Sequence, residues 1–138
     1  MTDKMVIHTD GGSRGNPGPA GVGIVIDVEG KTLHEFGKTI GHTTNNVAEY
    51  TAVIEALMYI KSIKGERDMV HKTFYLDSKL VVEQLNGNFK IKDARLRELS
   101  LKIRMLEQEV GGVITYSYVP REQNTRADLQ VNKALDNS

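Results

Sequence analysis

The sequence predicts an α/β fold in which a five-stranded mixed sheet is flanked by helices, with residues 1–138 forming one domain. Three strand-like segments come first and are joined by short turns, as is typical of antiparallel neighbours. Two later strand-like segments each follow a helical segment. Such crossover connections place a strand parallel to an earlier one, so we expect these two strands to lie parallel to the first. We find no internal repeat or linker that would divide the chain.

The first half of the chain contains the three antiparallel strands and one helix. Segments rich in aliphatic and β-branched residues predict strands at residues 5–9, 20–28 and 32–40. The first strand ends at Asp10, and the glycine- and proline-rich residues 11–19 predict a turn. The polar residues 43–46 supply caps for a helix over residues 47–63.

The second half contains two strands and three helices. The predicted strands are residues 73–76 and 113–119, and the first of them is wholly apolar, as in the centre of a covered sheet. A short helix follows Ser78 and ends near residue 85, a longer one covers residues 93–109, and a last one follows a cap at Asn124.

Composition excludes several classes of protein. There is no cysteine, which excludes disulfides, thiolate zinc sites and thiol nucleophiles and is compatible with a cytoplasmic location, which we expect. The apolar runs are far shorter than the roughly 20 residues of a membrane span, so we expect no membrane partner. Residues 1–4 lead directly into the first strand, so we expect no signal peptide.

The charges balance overall but are unevenly distributed. Eighteen basic and eighteen acidic residues give a net charge of zero, which argues mildly against a nucleic-acid partner. Residues 88–104, however, contain six basic residues and two acidic ones. On charge alone, the solvated face of a helix explains this basic segment better than a phosphate-binding surface does.

Two aspartates follow predicted parallel strands. Asp10 ends the first strand and Asp77 ends the fourth. Because ligand sites of open α/β sheets lie beyond the carboxyl ends of the parallel strands, we expect these side chains to converge. The alternative is that each aspartate caps the element that follows it, which for Asp77 is a sufficient explanation on its own.

Two further acids lie on apolar helix faces. The residues three, four and seven positions after Glu49 are apolar, and Asp128 lies on the same face of the last helix as Val131 and Leu135. An ionised carboxylate in such a place costs several kcal/mol unless it is paired. Carboxylates are the ligands that Mg²⁺ prefers, so a shared divalent cation would remove the repulsion among these acids.

Four segments of the chain resemble the motifs of type 1 ribonucleases H. They are residues 9–21 (TDGGSRGNPGPAG), residues 44–50 (TNNVAEY), residues 75–79 (YLDSK) with 84–87 (QLNG), and residues 120–124 (PREQN) with 127–128 (AD) and 131–132 (VN). They occur in the family's order, and the resemblance extends over residues 5–135. Each contains one of the four acids named above.

The resemblance implies a ribonuclease H-like fold and a hydrolase that cuts the RNA strand of RNA/DNA hybrids. It implies that Asp10, Glu49, Asp77 and Asp128 are catalytic ligands of two Mg²⁺ or Mn²⁺ ions that bind with the substrate. Asp10 would bridge the ions, and Asp128 would be the most peripheral ligand. The expected products carry 5′-phosphate and 3′-hydroxyl ends.

The resemblance also implies a set of nucleic-acid contacts in the minor groove, where 2′-hydroxyls mark the RNA strand. The residues concerned are Gly12, Ser13, Asn16, Thr44, Asn45, Asn46, Lys79 and Arg121. Helix capping is the alternative explanation for Asn45 and Asn46.

The chain departs from the family pattern in three places. After Asp128 it has Leu129-Gln130, where the family has a polar residue followed by leucine, which affects only packing. The loop at residues 120–123 has no histidine, and Arg121 would contact a phosphate there rather than transfer a proton. The family's long basic handle with its tryptophans is absent, because the chain has no tryptophan and the segment of residues 86–93 is short. Three alternatives remain: another nuclease of the same fold, a binding domain without catalysis, and a cation-binding structural protein.

Overall fold

A mixed sheet and four helices make up the part of the chain that the computed structural model describes, residues 4–63 and 71–138. The strands are β1 (Lys4–Ser13), β2 (Gly18–Val28), β3 (Lys31–Thr43), β4 (His71–Leu76) and β5 (Val113–Tyr118). The helices are α1 (Asn45–Ser62), α2 (Lys79–Leu85), α3 (Ala94–Val110) and α4 (Thr125–Asp136), and a 3-10 turn covers Arg121–Gln123.

The strand order confirms the predicted architecture. The strands pair in the order β3-β2-β1-β4-β5. β1 is antiparallel to β2, and β2 is antiparallel to β3. β4 is parallel to both β1 and β5, so the two later strands run in the direction of the first. The carboxyl ends of β1 and β4 therefore meet at one edge of the sheet.

The predicted turn at residues 11–19 is wrong at both ends. β1 continues past Asp10 to Ser13, and β2 begins at Gly18, so only residues 14–17 turn. Gly11 and Gly12 are extended because they pair with residues of β2 and complete the antiparallel ladder. The gain of ladder hydrogen bonds outweighs the low strand preference of glycine. β3 likewise continues to Thr43, which pairs with Gly18.

The helices begin and end within about two residues of their predicted positions. The side chain of Thr44 caps α1 by accepting a hydrogen bond from the Val47 N–H, and Ser78 caps α2 in the same way. Asp77 therefore does not cap α2, and the capping explanation for it is wrong. None of the helices in the described parts of the chain has both the length and the apolar character to cross a bilayer.

The helices cover the sheet on two sides. The buried core lies between the sheet and the helices α1, α2 and α3, and it includes Ile7, Ile24, Val53, Leu57 and Phe74. α4 packs on the opposite face, against β1, β2 and β3. Its close approach depends on Gly23, where an added Cβ would lie 2.0 Å from the Ala127 carbonyl oxygen. This layering places α1 and α4 on either side of the β1 end that carries Asp10.

Candidate active site

Three of the predicted acids meet at the edge of the sheet. Asp10 is supplied by β1, Glu49 by the first turns of α1, and Asp77 by the residue after β4. Each offers a carboxylate oxygen, and these oxygens lie within 4.8 Å of one another. The expected convergence of the two strand ends is therefore present in the fold, and Glu49 joins it from the helix above.

Glu49 is the most deeply buried ionisable group of this cluster. Its residue is only 6% exposed, as the apolar neighbours on α1 predicted. Oε1 accepts a hydrogen bond of 2.6 Å from the Gly11 backbone N–H. Oε2 is buried and has no hydrogen-bond donor among the residues that the structure describes. One oxygen is thus fixed by the protein, and the other is available to a proton or a cation.

Burial and neighbouring negative charges raise the pKa values of both buried acids, Asp10 and Glu49. Burial raises the pKa of Asp10, and the charges of Glu49 and Asp77 raise it further. Burial also raises the pKa of Glu49, and the Gly11 N–H and Arg121 only partly oppose this shift. The contact between the two carboxyls raises the pKa of Asp10 and lowers that of Glu49, as when the two groups share one proton.

The donor set fits a hard divalent cation. These possible metal ligands are all carboxylate oxygens. One of them is a buried Glu49 oxygen that accepts no hydrogen bond from the described residues. Mg²⁺ and Mn²⁺ prefer such oxygen ligands, and a bound cation would replace the shared proton. Asp10, Glu49 and Asp77 could therefore hold the ion that the family resemblance implies.

Asp128 lies beside this cluster and less deeply than expected. It is half-buried in the first turn of α4, where its side chain lines the open cleft. Its contact with the Asp10 carboxyl adds to the rise in the pKa of Asp10. Asn132 Nδ2 donates to the backbone oxygen and to Oδ2 of Asp128, at 3.2 and 3.4 Å. Asp128 is thus placed at the rim of the cluster, as a peripheral ligand would be.

The carboxylates line a cleft of about 440 Å³. Five of the eight predicted nucleic-acid contacts line the same cleft: Gly12, Ser13, Asn45, Asn46 and Arg121. A neighbouring hollow is lined by Asn16, Thr44 and Asn46, together with Arg95 at the start of α3. Lys79 is exposed on the first turn of α2 and lines neither of these two surfaces.

Asn45 and Asn16 hold the end of β1 against α1. Asn45 Oδ1 accepts hydrogen bonds from the Ser13 N–H at 2.9 Å and from Ser13 Oγ at 3.1 Å. The Asn45 N–H in turn donates to Asn16 Oδ1 at 3.0 Å. Because Thr44 supplies the cap of α1, the capping explanation is wrong for Asn45 and Asn46.

Asn124 is a residue of this site that sequence reasoning missed. It was expected to cap α4, and it does stand at the start of that helix, but its side chain makes no cap hydrogen bond. Nδ2 instead donates to the Thr9 backbone oxygen at 2.9 Å and to Asp77 Oδ2 at 3.0 Å. Helix capping was a sufficient explanation for an asparagine at this position, so no feature of the sequence indicated that its side chain lies in the site.

Some basic side chains of residues 88–104 are paired within the protein, and others are available to bind a partner. Arg95 and Arg104 pair with glutamates one turn further along α3, and Arg97 donates to backbone carbonyls that precede the helix. The exposed side chains of Lys90 and Lys92 have no hydrogen-bond or ion-pair partner within residues 4–63 and 71–138. Only part of this segment is therefore free to meet a phosphate backbone.

Comparison of sequences identifies relatives over nearly the whole chain. A family model described as "Reverse transcriptase-like" matches residues 8–134. A bifunctional protein of Mycobacterium tuberculosis is 42% identical over 135 residues, which are 96% of this chain and 36% of that protein. Ribonuclease HI of Halobacterium salinarum is 42% identical over 138 residues, 98% of this chain and 66% of that protein. The chain thus spans between about a third and two thirds of the length of these relatives.

Comparison of structures gives the same family. LC11-RNase H1, isolated from compost by a metagenomic approach, superposes with a TM-score of 0.93 at 45% identity, over 97% of this chain and 96% of that chain. The same protein in complex with an RNA/DNA hybrid superposes with a TM-score of 0.93 at 44% identity, over 97% and 98% of the two chains. Because it has the four motifs in order, the five-stranded mixed sheet and these relatives, the chain belongs to the type 1 ribonuclease H family.

Proposed function

We propose that this chain is a metal-dependent endonuclease that hydrolyses the RNA strand of RNA/DNA hybrids. The observation that carries the proposal is the meeting of Asp10, Glu49 and Asp77, whose carboxylate oxygens lie within 4.8 Å of one another in an open cleft. Family membership supports it, since the similar LC11-RNase H1 has been crystallised with such a hybrid.

The four acids would hold two Mg²⁺ or Mn²⁺ ions. Asp10, whose pKa is raised by burial and by the neighbouring Glu49, Asp77 and Asp128, would be the ligand common to both ions. Glu49 and Asp77 would complete the inner part of the site, and the half-buried Asp128 the outer part. Two such ions would supply an attacking hydroxide and would stabilise the leaving 3′-oxygen, so the expected products carry 5′-phosphate and 3′-hydroxyl ends.

The residues beside the acids would hold the hybrid. Gly12, Ser13, Asn45 and Asn46 line the cleft next to the carboxylates and offer backbone and amide groups to 2′-hydroxyls of the RNA strand. Arg121 is exposed at the cleft and would contact a phosphate.

A neighbouring hollow and one lysine would extend this surface. Asn16 and Thr44 line the hollow beside the cleft, where a phosphate of the DNA strand would lie. Lys79 would add a longer-range phosphate contact from the first turn of α2.

The proposal is tested by presenting labelled RNA/DNA hybrid, duplex DNA and duplex RNA to the protein with Mg²⁺, Mn²⁺ or EDTA. Asp10→Asn is compared with Asp27→Asn, a matched change at a half-buried aspartate that pairs with Arg126 outside the cleft. We expect internal cleavage of the RNA strand of the hybrid alone, lost with EDTA and in Asp10→Asn and retained in Asp27→Asn. The product ends are read by their response to phosphatase.

Three other outcomes would contradict the proposal. Cleavage of duplex DNA would indicate another nuclease of the same fold. Tight binding of the hybrid without cleavage at any metal concentration would indicate a binding domain. Metal binding without affinity for any nucleic acid would indicate a structural cation site.

A further inference from the structure

We propose that Asn124 is a positioning residue that holds the strand ends carrying Asp10 and Asp77 at the separation needed to share a divalent ion. This inference rests on the proposed metal site and adds to it a residue that does not itself contact the ion. Asn124 is 1% exposed and is brought to the site from a position 47 residues after Asp77.

The sheet by itself does not hold these two strand ends together. The parallel pairing of β1 with β4 runs from Lys4 and His71 to His8 and Tyr75. Asp10 and Asp77 each lie two positions beyond that last pair. Within the described chain, the Asn124 side chain bridges the strands at this point, since Nδ2 donates to the Thr9 oxygen on one side and to Asp77 Oδ2 on the other.

The chemistry of a primary amide suits this position. Nδ2 carries two N–H groups, and two acceptors lie at hydrogen-bond distance, 2.9 and 3.0 Å away. The amide is neutral, so it adds no charge to a cluster of acids that already repel one another. It also occupies one oxygen of Asp77 and so fixes the rotation of that carboxylate. Partners of this kind orient metal ligands and tune the affinity of a site.

The backbone of Asn124 connects the same residue to the fourth acid. Its carbonyl oxygen accepts the N–H of Asp128 at 3.1 Å, the first hydrogen-bonded turn of α4. Its own N–H donates to the Arg121 carbonyl oxygen at 2.9 Å. Asn124 thus contacts Asp77 directly, Asp10 through the adjacent Thr9, and Asp128 through the start of its helix. The inward direction of its side chain is not needed for the helix, because it makes no cap hydrogen bond there.

The test uses Asn124→Leu and Asn124→Ala. Leucine has a shape close to that of asparagine but no N–H, so it removes the two hydrogen bonds while filling the space. The matched control is Asn86→Ala, which removes another amide-to-carbonyl hydrogen bond, from Asn86 Nδ2 to the Tyr116 oxygen, away from the acids. Binding of Mn²⁺ to the protein without nucleic acid is followed by electron paramagnetic resonance.

We expect both Asn124 variants to raise the midpoint of the Mn²⁺ titration by about 10-fold or more, the effect typical of losing a ligand-orienting partner. Asn86→Ala should change this midpoint little, although it also loses a structural hydrogen bond. The affinity for hybrid in EDTA should stay near that of the wild type, because Asn124 is buried. Cleavage by the variants should recover partly at high Mg²⁺.

A Mn²⁺ midpoint in Asn124→Leu equal to that of the wild type would overturn the inference, and so would an equal shift in Asn86→Ala. These outcomes are separable from failure of the proposed function. If the wild type cleaves no hybrid but the Asn124 variants bind Mn²⁺ weakly, the positioning role stands and the nuclease function does not. If the wild type cleaves hybrid and the Asn124 variants bind Mn²⁺ normally, the nuclease function stands and the positioning role does not.

Discussion

The Glu49 carboxylate accepts a hydrogen bond from the backbone N–H of Gly11, with 2.6 Å between Oε1 and the nitrogen. The bond joins α1 to β1 next to Asp10, and it gives a charged group on an apolar helix face one fixed partner. It is possible because the two backbones are very close. A Cβ added to Gly11 would lie 2.2 Å from the carbonyl carbon and oxygen of Ala48 and 2.5 Å from the Glu49 nitrogen.

Gly11→Ala should strongly destabilise the protein. The added methyl group meets backbone atoms of α1, which cannot rotate away as a side chain would, so the helix must move from the strand. We expect a loss of about 3 kcal/mol or more in the free energy of unfolding, at the upper end for overpacking. Urea denaturation at constant m-value measures it.

Gly12→Ala is the matched control for that change. Apart from its chain neighbours, no atom of residues 4–63 and 71–138 lies within 4 Å of the position that its Cβ would take, so the stability of the variant should stay within about 0.5 kcal/mol of the wild type, as at an open surface. Equal losses in the two variants would show that glycine is needed here for some reason other than the contact with α1.

The metal-free protein should lose stability as the pH rises. Burial raises the pKa values of Asp10 and Glu49, so above about pH 4 the folded state keeps protons that the unfolded chain releases. The stabilising contribution of these protons is complete below the unfolded pKa values. It disappears as the pH rises through the raised ones. Thermal unfolding in EDTA between pH 5 and 9 measures this slope.

Mg²⁺ should reverse that dependence. A cation displaces protons from the carboxyls, so its affinity and the stabilisation that it gives should increase with pH. At a concentration of 100 Kd, it should add about 2.7 kcal/mol. The increase in melting temperature on adding Mg²⁺ should therefore be larger at pH 8 than at pH 5.5. An increase that is independent of pH would contradict binding at Asp10 and Glu49.

Asp10→Asn should separate stability from activity. The amide is neutral without taking up a proton, whereas Asp10 in its buried cluster must take one up on folding, so the metal-free protein should gain about 1–3 kcal/mol at pH 8. Cleavage of hybrid should fall by about 10²-fold or more, as expected when a group that stabilises transition-state charge is lost. Asp27→Asn breaks a partly exposed pair with Arg126 and should change neither quantity strongly. Unfolding curves and initial rates together test this; a less stable Asp10→Asn would contradict it.

Hybrid binding should weaken steeply with salt. The lysines that have no partner in the part of the chain that the structure describes should supply part of this dependence. Lys90→Gln and Lys92→Gln should each reduce the slope of log K against log salt by about 1. Arg126 pairs with Asp27 and Glu35, so Arg126→Gln is the control and should leave the slope unchanged. Titrations in EDTA from low to several hundred millimolar salt give the slopes. A flat response in the wild type would exclude this surface as a phosphate contact.

The sequence by itself determined the elements and the acids. Periodicity and turn residues identified five strands and the long helices, and the apolar neighbours of Glu49 predicted a buried carboxylate. Parallel strands also predicted that Asp10 and Asp77 would lie close together. These features depend on residues within about one helical turn or one strand of each other, so they can be predicted from the sequence without knowledge of the packing.

The tertiary structure decided which partner each polar group found. It extended Gly11 and Gly12 into a strand, because β2 offered a ladder. It turned the Asn124 side chain toward Thr9, 115 positions away, although a helix start was beside it. Local preference allows several partners for an amide or a glycine, and only packing of distant segments decides which acceptor is within reach.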